Sequence, residues 1–229
     1  MSTNSIMRPL GPSWFTGAYD PLTARWPAGN KMRATVIDAL DPAPGQRMLE
    51  LGCGSGRLAI EIKRRCPDVA ISAVDGNRDI LAIARDRAKK AGLEIDFTLG
   101  DITRCPLEGP YDSAYSTLVL HHLTLDAKQQ VFRRVRDLLA PSGSLVIADF
   151  SRHRRSGQPI VSRLSALGDS LGAKRPHFDG RFETALRECF SDVRSLAQIP
   201  SVFGTIEVWR CSSSPDGSGG PKQSTSTAT

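Results

Sequence analysis

The stretch Leu49-Glu50-Leu51-Gly52-Cys53-Gly54-Ser55-Gly56 constrains this chain more than any other. Apolar residues lead into an acid, and three glycines follow on alternate positions. Asp75 closes the next apolar run. Glycine lets a backbone turn sharply and approach a ligand with no side chain between. Placed between a strand and a helix, such a turn forms a nucleotide-type site whose ligand faces the helix N-terminus. The spacing is G-x-G-x-G with Glu50 just ahead, not the G-x-G-x-x-G of dinucleotide enzymes. It points to a nucleoside without a pyrophosphate.

The pattern around this turn alternates strand and helix. Residues 47–51, 69–75, 94–99, 111–117 and 144–150 read as strands, short and apolar. Between them lie helical stretches at 57–65, stopped by Pro67, at 79–91, capped by Asn77 or Asp79 and closed by Gly92, and at 126–140, with Val131, Val135, Leu138 and Leu139 on one face. Upstream, 30–40 puts Met32, Val36, Ile37 and Leu40 on one helical face and ends at Pro42. Downstream, helices are expected near 161–171 and 181–190, and strands at 192–196 and 203–211. Strand–helix alternation with short turns predicts a parallel α/β sheet covered on both faces.

Five stretches in one order carry a resemblance to a family. They are Glu50–Gly56; Ala73-Val74-Asp75; Gly100-Asp101-Ile102; Tyr111-Asp112 with Ser116-Thr117-Leu118-Val119-Leu120-His121-His122; and Leu138-Leu139-Ala140-Pro141-Ser142-Gly143-Ser144-Leu145. Over 48–151 the chain resembles the class I S-adenosylmethionine-dependent methyltransferases, of small-molecule type and distantly like the quinone C-methyltransferase branch. The resemblance implies a Rossmann-like, doubly wound seven-stranded sheet, mostly parallel, with the last two strands as a reversed edge hairpin. It implies three parts: an N-terminal lid or helical element at 1–41, the methyltransferase domain at 42–211 with a substrate-side insertion at about 151–190, and a tail at 212–229. The tail is Ser, Gly, Thr and Pro with almost nothing to bury, and is expected to be disordered.

The resemblance also implies a cofactor, S-adenosyl-L-methionine, and the residues around it. Gly52, Cys53 and Gly54 would pass its methionyl and ribose parts, with Glu50 at the floor of the loop near its ammonium. Asp75, followed by Gly76, would accept both ribose hydroxyls. Asp101 and Ile102 would meet the adenine, Thr117 would close the site, and Tyr19 would reach over the methionyl carboxylate. Asp75 and Asp101 have an alternative reading as cap or turn residues. His121 and His122 fall where the family places substrate-facing groups. Either a histidine there acts as a base on the acceptor, or the pair is a loop pair held by backbone and solvent. Trp14, Phe15, Tyr19 and Trp26 could lay flat faces over the cleft and exclude water, or pack on the sheet edge.

Composition excludes several classes. Five cysteines without regular spacing argue against a disulfide framework, and in core elements they act as small apolar residues. Two adjacent histidines with no third ligand at helical spacing argue against a metal. No apolar run approaches membrane length, and no secretory leader is seen at the N-terminus, so a cytoplasmic protein is expected. The net charge of +6 permits anionic partners. The run Arg152–Arg155 is read as a solvated loop, with an anionic acceptor or RNA as the other reading. Aromatics at 6% are not interleaved with arginines, so nucleic acid is not the expected partner. The chain therefore reads as an enzyme methylating O, N or C of a small molecule. The alternatives are a catalytically inactive methyltransferase-like binding subunit and a methyltransferase of RNA or protein. An NAD-linked reductase fails on the glycine spacing.

Overall fold

The computed structural model describes residues 26–151, 180–202 and 204–213. Helix α1 (Pro27–Leu40) precedes an alternating series: β1 (Arg47–Leu51), α2 (Arg57–Arg65), β2 (Ala70–Asp75), α3 (Arg78–Lys90), β3 (Asp96–Leu99), β4 (Tyr111–Thr117), a single 3₁₀ turn (Leu120–His122), α4 (Leu125–Leu138) and β5 (Leu139–Phe150). After the undescribed residues come α5 (Arg181–Cys189), β6 (Asp192–Ser201) and β7 (Gly204–Ser212). The expected elements stand at these places. The expected helix near 161–171 and the Arg152–Arg155 run lie outside the described residues, as does the tail beyond Ser213.

The seven strands form one sheet in the order β3-β2-β1-β4-β5-β7-β6. β3, β2, β1, β4 and β5 run parallel, and β7 joins β5 antiparallel, with β6 on its outer side. This is the expected Rossmann-like sheet with a reversed edge hairpin. Its order reverses between β1 and β4, so the crevice opens at the carboxyl ends of those two strands.

Alternation along the strands feeds two cores, because both faces are covered. On one face Met48, Ile71, Ala73, Tyr115, Val146 and Val208 pack with α1, α2 and α3. On the other, Leu49, Leu51, Val74, Ala114, Ile147 and Trp209 pack with α4 and α5. The interior of β1 and β4 is thus apolar on both sides, apart from Glu50 and two serines of β4, Ser113 and Ser116.

Several boundaries shift for local reasons. α1 starts at Pro27, three residues before the expected Asn30, because proline suits the first helical position, where its missing N–H costs nothing. Asn77, not Asp79, caps α3, its side chain accepting from the N–H groups of Asp79 and Ile80 at 2.9 and 3.2 Å. β5 begins at Leu139, not Ser144. Tyr111 pairs with Leu139 and Ser113 with Ser144, so the residues between bulge out of the ladder, and Pro141 sits where it breaks no central hydrogen bond. β6 runs on to Ser201, five residues past the expected end. There a bulge between Ser195 and Ala197 lets it keep pairing with β7.

Candidate active site

The glycine loop joins β1 to α2 and is tied to the end of β2. The N–H groups of Gly52 and Cys53 both donate to the Val74 carbonyl, at 2.7 and 3.0 Å. Gly54 N–H donates to Asp75 Oδ2 at 2.8 Å, and Asn77 N–H donates to Asp75 Oδ1, also at 2.8 Å. Both oxygens of Asp75 are therefore aimed, and each keeps a lone pair for a ligand. The turn-residue reading holds in part, since the bond to Asn77 is a local Asx turn. It does not remove Asp75 from the crevice, because the second oxygen reaches across to the loop. Burial raises the Asp75 carboxyl above its ordinary range, and the two backbone donors oppose that rise.

Two glycines are required by space as well as by conformation. Gly52 has φ +72, and a Cβ there would clash with the Val119 side chain. Gly56 also has φ +72, and a Cβ would meet Ala84 and Phe97 at 3.1 Å, so the start of α2 packs directly on α3 and β3. Gly56 is the N-cap of α2 and supplies no side-chain cap, and the first turn holds no acid. A helix N-terminus in that state suits an anionic group. Gly76 is not forced by its neighbours: a Cβ would meet only Gly100 O, at 3.7 Å.

Glu50 lies under the loop and is 2% exposed. It pairs in register with Tyr115 on β4, whose hydroxyl donates to Glu50 Oε2 at 3.5 Å. Burial lifts the Glu50 carboxyl from 4.5 to about 8, the Tyr115 hydrogen bond opposes this, and the charge of Asp75 adds to it. Burial likewise pushes the Cys53 thiol far up, which leaves it a small apolar wall with no thiolate to offer. An acid near neutrality at the floor, an oriented carboxylate at the side and an uncapped helix end match a zwitterion with a ribose. The residues present fit S-adenosylmethionine.

Other expected residues divide. Asp101 spends its carboxylate locally: Oδ1 accepts from Thr103 N–H and Oγ1 at 2.9 and 2.7 Å, and Oδ2 accepts from Arg104 Nε at 3.1 Å. These bonds hold it below the usual carboxylate range despite partial burial. These partners of Asp101 are local ones, as in a turn. Ile102 is 1% exposed, its side chain inside the α4-side core, so only its backbone can face a ligand. Thr117 ends β4, paired with Ala148. Trp26 packs on α1, where a Cβ on Gly29 would touch its ring at 2.7 Å, and against the core on that face of the sheet. Tyr19, Trp14 and Phe15 lie outside the described residues.

Sequence reasoning missed three features. Leu99 ends β3 beside Asp75 and is 39% exposed, an apolar side chain open at the crevice. The signal was present, an apolar residue at the end of the expected strand 94–99 just before Gly100. Leu118 has φ +55, the left-handed region, at the carboxyl end of β4. Strain of this kind gathers at functional sites, and no local residue signal announces it. Asp149 closes the apolar run Leu145–Ala148 as Asp75 closes its own, and that parallel could have found it. Asp149 is 1% exposed and holds His121, with Oδ1 2.8 Å from His121 Nδ1. His122 is half-buried beside it, ring centroids 3.9 Å apart. Among the described residues no group of three or more metal-ligating side chains converges, and no helix is long and apolar enough to cross a membrane.

Fold and site together define a Rossmann-like crevice at the switch point of the sheet, and comparison with known proteins is consistent with that fold. Residues 48–143 match the model of a family described as a methyltransferase domain. The chain is 31% identical over 135 residues to the methyltransferase GfsG of Streptomyces halstedii, covering 58% of this chain and 46% of that one. It is 32% identical over 136 residues to the demethylmenaquinone methyltransferase of Thermus thermophilus, covering 58% of this chain and 60% of that one. The chain thus spans about half the length of the curated relatives it matches. In fold it is similar to the N-methyltransferase NodS of Bradyrhizobium japonicum, solved with S-adenosyl-L-homocysteine, at a TM-score of 0.63 and 18% identity, covering 82% of this chain and 88% of that one.

Proposed function

We propose that this protein transfers a methyl group from S-adenosylmethionine to a small-molecule acceptor. The observation that carries the reading is Asp75, whose two oxygens are aimed by the glycine loop and by Asn77 at the switch point of the sheet. The donor supplies a methyl on a sulfonium, already activated by its charge. The protein must then position two reactants and exclude water. Asp75 would take the ribose hydroxyls, the first turn of α2 the carboxylate and Glu50 the ammonium. Leu99 would lie against the adenine. Gly52, Cys53 and Gly54 would supply the passage, with the backbone of Gly76 and Ile102 along its adenine side and Thr117 near the methyl. Tyr19 is proposed to close over the donor. His121 and His122 stand directly past Val119, the residue that roofs Gly52, and are the candidates for handling an acceptor's proton. The names of the relatives, which include a quinone-type and an N-methylating protein, support a small organic acceptor without choosing its atom.

Two measurements test this. Calorimetry should show donor binding by the wild type and a loss of several kcal/mol in Asp75→Ala, since charge-assisted hydrogen bonds contribute about 1.5–3 kcal/mol each. Unchanged affinity in Asp75→Ala would remove the assignment. A screen of small acceptors with radiolabelled methyl donor should find turnover. Binding without transfer would favour the inactive-subunit reading.

A further inference from the structure

The glycine loop is held by one face of α3. Ile80, Ala84 and Arg87 fall at i, i+4 and i+7, so they line up along the helix on the same side. A Cβ on Gly54 would lie 3.8 Å from Ile80 Cδ1, and one on Gly56 would lie 3.1 Å from Ala84 Cβ. Arg87 Nη1 donates to the Ser55 carbonyl at 2.8 Å. The other end of that peptide is fixed as well, because Gly56 N–H donates to the Cys53 carbonyl at 2.9 Å. The Ser55–Gly56 peptide is therefore pinned twice, at its oxygen by a guanidinium from another helix and at its nitrogen by the turn itself. The start of α3 is anchored too: Asn77 caps it and donates its N–H to Asp75 Oδ1.

A loop with glycine at 52, 54 and 56 has little stiffness of its own. Gly56 holds φ +72, and rotation of the peptide before it would swing the Ser55 carbonyl away without moving the chain on either side. That peptide directly precedes the first turn of α2, which has no side-chain cap and no acid. A carbonyl oxygen swung towards that turn would oppose an anionic group bound there. Resting on the methyl-transfer reading above, we propose that Arg87 is a positioning residue of the donor site. It holds the Ser55 carbonyl on the α3 side and leaves the N-terminus of α2 to the donor's carboxylate. The loop is then ordered before the donor arrives, so binding does not have to supply that order. Arg85, two residues earlier, is the contrast. Its Nη2 donates to the Phe97 carbonyl at 2.6 Å, which ties α3 to β3 and not to the loop.

The test uses the full chain with S-adenosylhomocysteine and adenosine as probes. Both carry adenine and ribose, and only the first carries the amino-acid part. Arg87→Met keeps the apolar stem and removes the donor group, whereas Arg87→Lys keeps a cation. In Arg87→Met, S-adenosylhomocysteine should bind about tenfold more weakly or worse by calorimetry, because a charged hydrogen bond is lost, and Arg87→Lys should recover part of it. Adenosine should bind Arg87→Met as it binds the wild type, and Arg85→Met should bind both probes normally. Equal losses for the two probes, or an unchanged S-adenosylhomocysteine affinity, would overturn the proposal. Amide hydrogen exchange followed by NMR gives a reading without ligand. The Gly56 N–H should exchange about tenfold faster in Arg87→Met, while the Gly52 N–H, bonded to β2, keeps its rate. An unchanged Gly56 rate refutes the pinning. A wild type that binds neither probe refutes the methyl-transfer reading instead, and the exchange rates still decide whether Arg87 holds the loop.

Discussion

Replacing Glu50 by Gln should stabilise the folded chain at alkaline pH and weaken its site, and both effects follow from one buried carboxyl. Glu50 is buried next to Tyr115, and its carboxyl is lifted from 4.5 to about 8. In the unfolded chain the same carboxyl titrates near 4.5. A folded value above the unfolded one means stability is fully present below pH 4.5 and is lost as pH rises through about 8. One unit of separation is worth about 1.4 kcal/mol, so the window carries up to about 5 kcal/mol. Gln has no proton to lose and keeps an oxygen for the Tyr115 hydroxyl. Glu50→Gln should therefore match the wild type at pH 4.5 and exceed it progressively up to pH 9. Urea unfolding of both proteins at pH 5, 7 and 9 reads the difference, in which all other titrations cancel. Parallel stability profiles across that range would refute the reasoning. The functional half has its own assay. A donor's ammonium beside Glu50 favours the carboxylate, so at pH 7 donor binding by the wild type should release a proton. The calorimetric enthalpy should then depend on the buffer's ionisation enthalpy, and that dependence should vanish in Glu50→Gln. A wild type with no buffer dependence would remove Glu50 from the ammonium.

Other outcomes follow from the same geometry. Gly52→Ala should lose about 1–2 kcal/mol for the left-handed backbone, with a further loss from displacing Val119, and donor affinity should drop with it; urea midpoints and calorimetry both unchanged would contradict the roof assigned to Val119. Asn77→Ala deletes the cap of α3 and should lower stability by about 1 kcal/mol, read by urea unfolding; no loss would mean that the two cap bonds contribute nothing net.

Much of the architecture was legible because it is local. Met32, Val36, Ile37 and Leu40 share a helical face whatever the rest of the chain does, and Asn77 caps the N–H groups two and three residues on. The G-x-G-x-G turn followed by Asp75 specified a strand–turn–helix and then a strand end, and the sheet folded around them as expected. The seven-strand count and the reversed hairpin came from the family resemblance, since nothing in residues 192–212 themselves states the direction of pairing.

The sequence by itself places acids at or just past the ends of apolar runs: Asp75 closes one, Asp149 another, and Asp101 follows Leu99-Gly100. Tertiary structure decided what each acid does. Asp75 is met by an amide from a loop 21 residues away and faces the crevice. Asp101 is met by its own neighbours Thr103 and Arg104. Asp149 is met by a histidine 28 residues away, brought there because β4 and β5 are adjacent in the sheet. It likewise took the fold to put Glu50 and Tyr115, 65 residues apart, side by side on neighbouring strands and out of water. A carboxyl's charge and role depend on its partners and on its distance from solvent, and long-range strand pairing sets both.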